Sequence, residues 1–276
     1  MSSVATGSAA LPAASAGGRA GLAKSTVTVA RRVLLRYRRT PQLIVLATVQ
    51  MSLFFLIYRY MFGGAIEVAG MRYVDFLVPG FIATGVLFSG IGTATAMAED
   101  LEQGFVDSLR SLPIPRSAVL AARALADTAI FTWSAAFTTA IAFAVGFRLH
   151  GTAAEGLAAF GLVVAFGFAF EWVFITLGLV AGTAQAAQGL GMIVFPFAFI
   201  SSAYVPVDSM PEWLQAFAEH QPLTAMVDAV RALTLGPDAE TLLGHPTSYF
   251  VVRALAWTAA ILAVAFPLAV ARYRRG

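Results

Sequence analysis

Six long runs of apolar residues, separated by short polar segments, dominate the hydropathy pattern of the chain. Each run is close to the roughly 20 residues that an α-helix needs to cross about 30 Å of hydrocarbon. The pattern therefore predicts an all-α polytopic membrane protein with six transmembrane helices. The predicted spans cover residues 42–62, 74–98, 119–147, 157–181, 188–205 and 250–271.

The residues before the first span divide into two segments. Residues 1–23 are rich in Ala, Ser and Gly and almost uncharged, which predicts a disordered cytoplasmic tail. In residues 24–40, Val29, Val33 and Tyr37 recur at helical spacing while arginines occupy the other faces. This predicts an amphipathic helix on the cytoplasmic membrane surface. We therefore expect a single transmembrane domain over residues 24–276.

A second amphipathic segment lies between spans two and three. Over residues 99–112, apolar side chains recur at helical spacing and charged or polar side chains fill the other face. Pro113 and Pro115 then stop the pattern. We expect a short cytoplasmic helix here. Its apolar positions are Leu101, Phe105, Leu109 and Leu112.

Residues 206–246, between spans five and six, predict two short helices on the outer side. Ser209 is the expected N-cap of the first, and Thr224 of the second, which Gly236 should end. The first helix is expected to bury Trp213, Leu214 and Phe217, and the second to contain Met226, Val227, Val230 and Leu233.

The few charged residues of the chain indicate its orientation. Only 12% of residues are charged and 59% are hydrophobic, against about 25% and 45–50% in soluble domains, so a soluble enzyme is disfavoured. Arginines flank the first and last spans and also occur in the loop between spans two and three. Most acidic residues lie in the other loops. By the positive-inside rule both termini are cytoplasmic. Basic clusters beside apolar runs also argue against nucleic-acid binding.

The chain lacks the usual catalytic and metal-binding patterns. It has no cysteine, its three histidines are far apart, and no nucleophilic-serine motif occurs. Its sole lysine, Lys24, follows Ala23 rather than glycine, which excludes a P-loop. We therefore expect neither catalysis nor a metal or cofactor site in this chain.

Few ionisable residues fall within the predicted spans. Glu171 is the clearest, and it predicts either a functional intramembrane acid or a structural hydrogen bond between helices. Asp127 is expected to pair with Arg123, four residues earlier on the same helix. Gly178 and Gly182 form a small-residue motif that favours close helix packing.

Two motifs carry a resemblance to a known family. The cytoplasmic stretch EDLEQGFVDSLRSLPIPR, residues 99–116, is similar to an acidic-Gly…Arg…Pro-Ile-x-Arg coupling segment. The outer stretch HQPLT, residues 220–224, followed by VRAL at 230–233, is similar to a motif found after the fifth span. From residue 24 to its end, the chain resembles the permease subunit of type-2 ABC exporters, particularly the daunorubicin-resistance-type branch.

The resemblance implies a dimer of permease subunits, identical or related, working with two separate ATPase subunits in a bacterial plasma membrane. ATP and magnesium would be bound by the ATPase. The implied ATPase-coupling residues are Glu99, Asp100, Glu102, Gly104, Phe105, Asp107, Arg110 and Arg116. The implied translocation path lies at the dimer interface, with Phe81, Phe88, Phe195 and Phe199 as candidates.

The nature of the cargo stays open at the level of sequence. A hydrophobic or amphipathic drug or lipid-like molecule is favoured, since the chain has no long carbohydrate-binding extension, and a cell-envelope glycolipid or lipid-linked glycan is the alternative. A proton-coupled secondary transporter should show paired interrupted helices around a midplane site. A membrane-bound enzyme should show converging polar groups at one depth, and Glu171 is the only such group the sequence presents.

Overall fold

The computed structural model describes residues 41–66, 68, 70–104 and 116–275. The predicted tail (1–23) and interfacial helix (24–40) lie outside these residues. The helices of the described part are α1 (Pro41–Phe62), α2 (Tyr73–Glu102), α3 (Arg116–Ala144), α4 (Ala153–Ala181), α5 (Ala184–Met192), α6 (Val194–Phe199), α7 (Glu212–His220), α8 (Pro222–Leu235), α9 (Ala239–Leu243) and α10 (Thr247–Arg275).

Four of these helices are long and apolar enough to cross a membrane. They are Ile44–Phe62, Tyr73–Glu102, Ala153–Ala181 and Thr247–Arg274, which match the first, second, fourth and sixth predicted spans. Helix α3 has 29 residues and covers most of the third predicted span, ending at Ala144. Its apolar stretch is less hydrophobic than those of the four candidate spans, because Arg123 and Asp127 occupy its first half and several Thr and Ser residues follow.

The fifth predicted span, residues 188–205, is wrong as a single continuous helix. The chain forms α5, breaks at Ile193, forms the six-residue α6, and leaves the helical conformation at Ile200. Pro196 explains the first break, because proline has no N–H for the carbonyl four residues earlier, at Met192. Gly189 and Gly191 weaken the preceding turns further.

Helix α2 is the centre of the bundle. It packs against α3, α4, α5 and α8, and every residue from Tyr73 to Leu87 is buried. Small residues permit the closest approach between α2 and α4: a Cβ on Gly178 would lie 2.4 Å from the carbonyl oxygen of Ala94. Gly182 has a different role, since it takes a φ of 73° and ends α4.

Helix α1 lies at the periphery and contacts α3 through paired hydroxyl groups. Thr48 lies 3.3 Å from Ser134, and Ser52 lies 3.2 Å from Thr138, each pair within hydrogen-bond distance. Such polar contacts hold helices together in lipid, where apolar side chains gain little by packing against one another rather than against lipid tails. Most of the remaining surface of α1 is exposed and apolar.

The long helices run alternately up and down the bundle. A compact apolar cluster at one end joins the end of α2, the start of α3, the second half of α4 and the end of α10. Met97, Leu120, Trp172 and Tyr273 belong to this cluster. Because it lies next to the loop that carries residues 99–116, we call this end of the bundle the coupling end.

The coupling segment begins later than the sequence pattern suggests. Residues 99–102 form the last turn of α2 rather than the first turn of a separate helix, and Gly104 then takes a φ of 69°. A glycine adopts this left-handed conformation without strain, which lets the chain change direction. The rest of the predicted helix, from Phe105 to Leu112, lies outside the described residues.

The outer segment forms the two predicted short helices, α7 and α8, with differences in detail. Ser209 is not an N-cap: it lies in a 3₁₀ turn, and its hydroxyl donates to the Pro206 carbonyl. Trp213 is 77% exposed and Phe217 is also exposed, so the prediction that they are buried is wrong for the single chain.

The second outer helix, α8, is buried in the bundle. Met226, Val227, Val230 and Leu233 are all buried, and the predicted helix end at Gly236 is confirmed. Thr224 is not the N-cap, because α8 begins earlier, at Pro222, and the N-cap position belongs to Gln221. Proline suits a first helical position, where an N–H would have no partner within the helix.

Candidate functional site

An ionic cluster at the coupling end ties together the two helices that flank the coupling loop. Arg123 of α3 binds Asp100 of α2 through Nη1 at 2.6 Å and Asp127 of its own helix through Nε at 2.7 Å. The pairing of Arg123 with Asp127 was predicted from their spacing and is confirmed. The contact with Asp100 joins residues 23 positions apart, on opposite sides of the loop.

A further polar contact extends this cluster into the bundle. The hydroxyl of Thr93 on α2 donates to Asp127 Oδ2 at 3.2 Å. The carboxyl group of Glu171 on α4 faces Thr93 and lies close enough to Asp127 and Arg123 to interact with their charges. Glu171 is 3% exposed, and its Oε2 has no hydrogen-bond partner.

These residues form a polar ladder that we define as Asp100, Arg123, Asp127, Thr93 and Glu171. With a rise of 1.5 Å per residue, Glu171 lies about 15 Å before the end of α4. The ladder therefore runs from the coupling end about a third of the way along α4, and its residues belong to α2, α3 and α4.

The structure separates the predicted ATPase-coupling residues into groups. Glu99 is exposed, Asp100 belongs to the polar ladder, and Glu102 accepts a hydrogen bond from the backbone N–H of Ala184, at the start of α5. Arg116 begins α3, and its side chain is not described. Phe105, Asp107 and Arg110 lie outside the described residues.

The candidate translocation residues fall into two aromatic groups. Phe81 contacts Phe55 and Tyr58 of α1 and Tyr204, and Phe199 lies against the same Tyr204. Phe88 and Phe195 form a separate edge-to-face pair with ring centroids 5.0 Å apart.

Three of these side chains reach the surface of the single chain. Phe81 is buried, Phe88 and Phe199 are exposed, and Phe195 is partly exposed. The two aromatic groups thus form a surface built from α2 and α6, next to α1.

The outer motif forms a clamp around the broken fifth segment. The Arg231 guanidinium donates to the carbonyls of Ser202, at 2.8 Å, and Phe76, at 3.2 Å, and lies 3.3 Å from the Asp228 carboxylate. Its Cζ lies 3.9 Å from the centroid of the Phe76 ring, which adds a cation–π contact. Burial lowers the pKa of Arg231 to about 10, with Asp228 opposing the shift, so the guanidinium stays charged at neutral pH.

The clamp supplies hydrogen-bond partners for the backbone N–H and C=O groups that have no helical partner where the helix breaks. Gln221 donates to the Ile200 carbonyl, and the Ser202 N–H donates to the Thr224 hydroxyl at 3.3 Å. The Ser202 hydroxyl in turn donates to Asp228 at 2.7 Å. Irregular backbone at membrane depth is tolerated where protein groups satisfy it. The motif at 220–233 therefore has a structural function that its sequence did not reveal.

The ladder and the clamp could be found only in part from the sequence. The spacing of Arg123 and Asp127 is a local signal, and an acid within a span marks Glu171 as unusual. No local signal connects Asp100 with Arg123, or Arg231 with Ser202. Within the described ranges, no group of three His, Asp or Glu side chains is placed to hold a metal ion.

Comparison with known proteins identifies the family to which this helix arrangement belongs. A family model described as ABC-2 type transporter matches residues 24–235. The chain belongs to the ABC-2 transporter permease family. Members of this family are membrane permease subunits, not enzymes, and ATP hydrolysis takes place in a separate nucleotide-binding subunit. The family thus implies a dimeric membrane assembly that works with an ABC ATPase.

Curated relatives of this ABC-2 permease extend over most of its length. It is 29% identical to the daunorubicin resistance ABC transporter permease protein DrrB1 of Streptomyces coeruleorubidus, over 93% of this chain and 88% of the relative. It is 27% identical to the probable doxorubicin resistance ABC transporter permease protein DrrC of Mycobacterium tuberculosis (strain CDC 1551 / Oshkosh), over 91% and 88%. It is 23% identical to a putative transport permease, ycf38, of Cyanophora paradoxa, over 74% and 71%.

Proposed function

We propose that this ABC-2 permease exports a hydrophobic or amphipathic drug or lipid-like molecule, driven by a separate ATPase. The homology with drug-resistance permeases supports this cargo class. The polar ladder carries the mechanism, because Arg123 joins the two flanks of the coupling loop, and Glu171 of α4 lies close enough to Arg123 and Asp127 to interact with their charges. ATP-driven movement of the loop would in this way reorient several helices together.

The proposed working unit contains two permeases and two ATPase subunits in a bacterial plasma membrane. In this arrangement α3 and the broken α5–α6 segment complete six spans, and both termini are cytoplasmic. Arginines at both ends of the membrane domain support that orientation. The rings of Phe88, Phe195 and Phe199 would face the second permease and line the path of the cargo, with the buried Phe81 packed behind them.

Co-expression with the cognate ATPase tests the assembly. We expect the two proteins to copurify in fixed proportion, and Phe105→Asp or Arg110→Glu to abolish copurification while the permease remains folded. The matched control is Arg148→Glu, the same charge reversal in a loop on the opposite face, which should leave binding unchanged. Copurification that survives both changes, or that is lost in the control as well, would contradict the coupling assignment.

Transport and orientation are measured separately. ATP-dependent uptake of daunorubicin into inside-out vesicles is expected with the complex and should be absent without ATP. Uptake driven by a proton gradient in the absence of any ATPase would refute the proposal. For orientation, Ser108→Cys should react with a membrane-impermeant maleimide only from the cytoplasm, and Ser209→Cys only from outside.

A further inference from the structure

An apolar cavity of about 660 Å³, partly open to the surface of the single chain, lies beneath the first outer helix. Its floor is made by α2 and α4, its two side walls by α6 and α10, and its roof by α7 and the start of α8. The lining residues are Leu87, Phe170, Val194, Phe197, Ala216, Phe217, His220, Gln221, Pro222, Leu223 and Trp257. Its size is within the range of small-molecule sites.

Specific polar contacts hold the roof in place. Arg253, one turn before Trp257 on α10, donates to the Glu219 carbonyl at the end of α7. Gln221 is buried and donates to the Ile200 carbonyl beyond α6. The end of α7 is thus tied to both side walls, so the cavity is a built feature of the fold.

The cavity is separate from the candidate translocation surface. Phe195 and Phe199 are four residues apart and lie on one side of α6, where they contact Phe88 and Tyr204. Phe197 lies between them in sequence and lines the cavity, where its ring contacts Phe217 of α7. Helix α6 therefore separates two aromatic surfaces.

The lining indicates the chemistry of an occupant. Phe170, Phe197, Phe217 and Trp257 present four aromatic rings, which favour contact with other rings. No Asp, Glu, Lys or Arg is among the lining residues, so the lining offers a charged group no counter-ion. His220 and Gln221 add polar groups at the roof, suited to one polar end of a ligand.

We propose that this cavity binds an uncharged, ring-containing amphipathic molecule that enters from the bilayer. Its rings lie among the four aromatic side chains, and its polar end lies beside His220. The site belongs to a single protomer and needs neither the second permease nor the ATPase. It therefore extends the proposed function without depending on it.

Photolabelling with benzophenone, a neutral two-ring probe, tests the site in full-length permease in lipid nanodiscs. We expect saturable labelling of peptides from α6 to α8 and from α10. Leu87→Trp, which fills the floor, and Ala216→Trp, which fills the roof from an exposed helix, should each weaken binding about tenfold, or about 1.4 kcal/mol. The matched control is Leu255→Trp, an exposed position on α10 outside the lining, which should bind as the wild type.

Two competitors distinguish the occupants. An excess of unlabelled neutral ring compound, such as fluorene, should abolish the labelling, whereas the lipophilic cation tetraphenylphosphonium should not. Equal labelling of Leu87→Trp, Ala216→Trp and wild type would overturn the proposal, and so would displacement by the cation. Loss of labelling when the phospholipid content is raised would assign the cavity to acyl chains instead. Because no ATP or ATPase is present, none of these results bears on coupling.

Discussion

The clamp around Arg231 offers the sharpest test of how the broken fifth segment is held. Arg231→Met removes hydrogen bonds to the Ser202 and Phe76 carbonyls and leaves the Asp228 carboxylate without its cation. Removing one partner of a buried ion pair typically costs about 3–5 kcal/mol, because the remaining charge is uncompensated. Arg231 is 3% exposed, so water cannot replace the lost contacts.

The double variant Arg231→Met/Asp228→Asn separates the charge effect from the loss of carbonyl partners. It removes the uncompensated carboxylate but still leaves two carbonyls without a donor. We expect this loss to lower the free energy of unfolding by about 1–3 kcal/mol. The double variant should thus be more stable than Arg231→Met, with a coupling energy of about 1–3 kcal/mol between the two positions.

Unfolding by SDS in mixed micelles measures these free energies. The control is Arg272→Met at an exposed position near the C-terminus, which should change stability by less than about 0.5 kcal/mol. Strictly additive effects of the two substitutions would refute the ion-pair explanation. An Arg231→Met variant as stable as the control would show that the clamp does not stabilise the segment.

Two further predictions concern the coupling end and the helix packing. Arg123→Met should lower ATP-dependent transport by about tenfold or more. Copurification with the ATPase should be kept, because the substitution breaks the ladder and leaves the docking surface intact. Unchanged transport would exclude the ladder from coupling. Gly178→Leu should destabilise the fold by about 1–3 kcal/mol in the SDS assay, since the Cβ of the new side chain would meet the Ala94 carbonyl. The control is Gly161→Leu on the same helix, where a Cβ enters open space and the substitution should be tolerated.

The sequence predicted those features of the fold that depend on local pattern. Four of the six predicted spans are apolar helices at the expected places, because length and hydropathy are properties of a continuous segment. The pair of Arg123 and Asp127 was predicted for the same reason, since positions four apart meet on any helix. The two outer helices also follow from their periodicity and the glycine at 236.

The predictions were wrong where the conformation or burial of a residue depends on neighbours that are distant in sequence. The fifth span was predicted as continuous because its composition is apolar throughout, yet its chain leaves the helix at Ile200. That irregular backbone is stable only because Gln221 and Arg231 donate to its carbonyls. Trp213 and Phe217 were expected to be buried on a short amphipathic helix, but in the single chain they are exposed.

By itself, the sequence determined that this is a helical membrane protein, because hydropathy acts residue by residue along the chain, and its two motifs indicated the ABC permease family. Only the tertiary structure decided that Asp100 and Glu171 belong to one ladder and that Arg231 closes a clamp. Both depend on which helices meet and at what depth, and a buried polar group takes its partner from whatever the packing brings within about 3 Å.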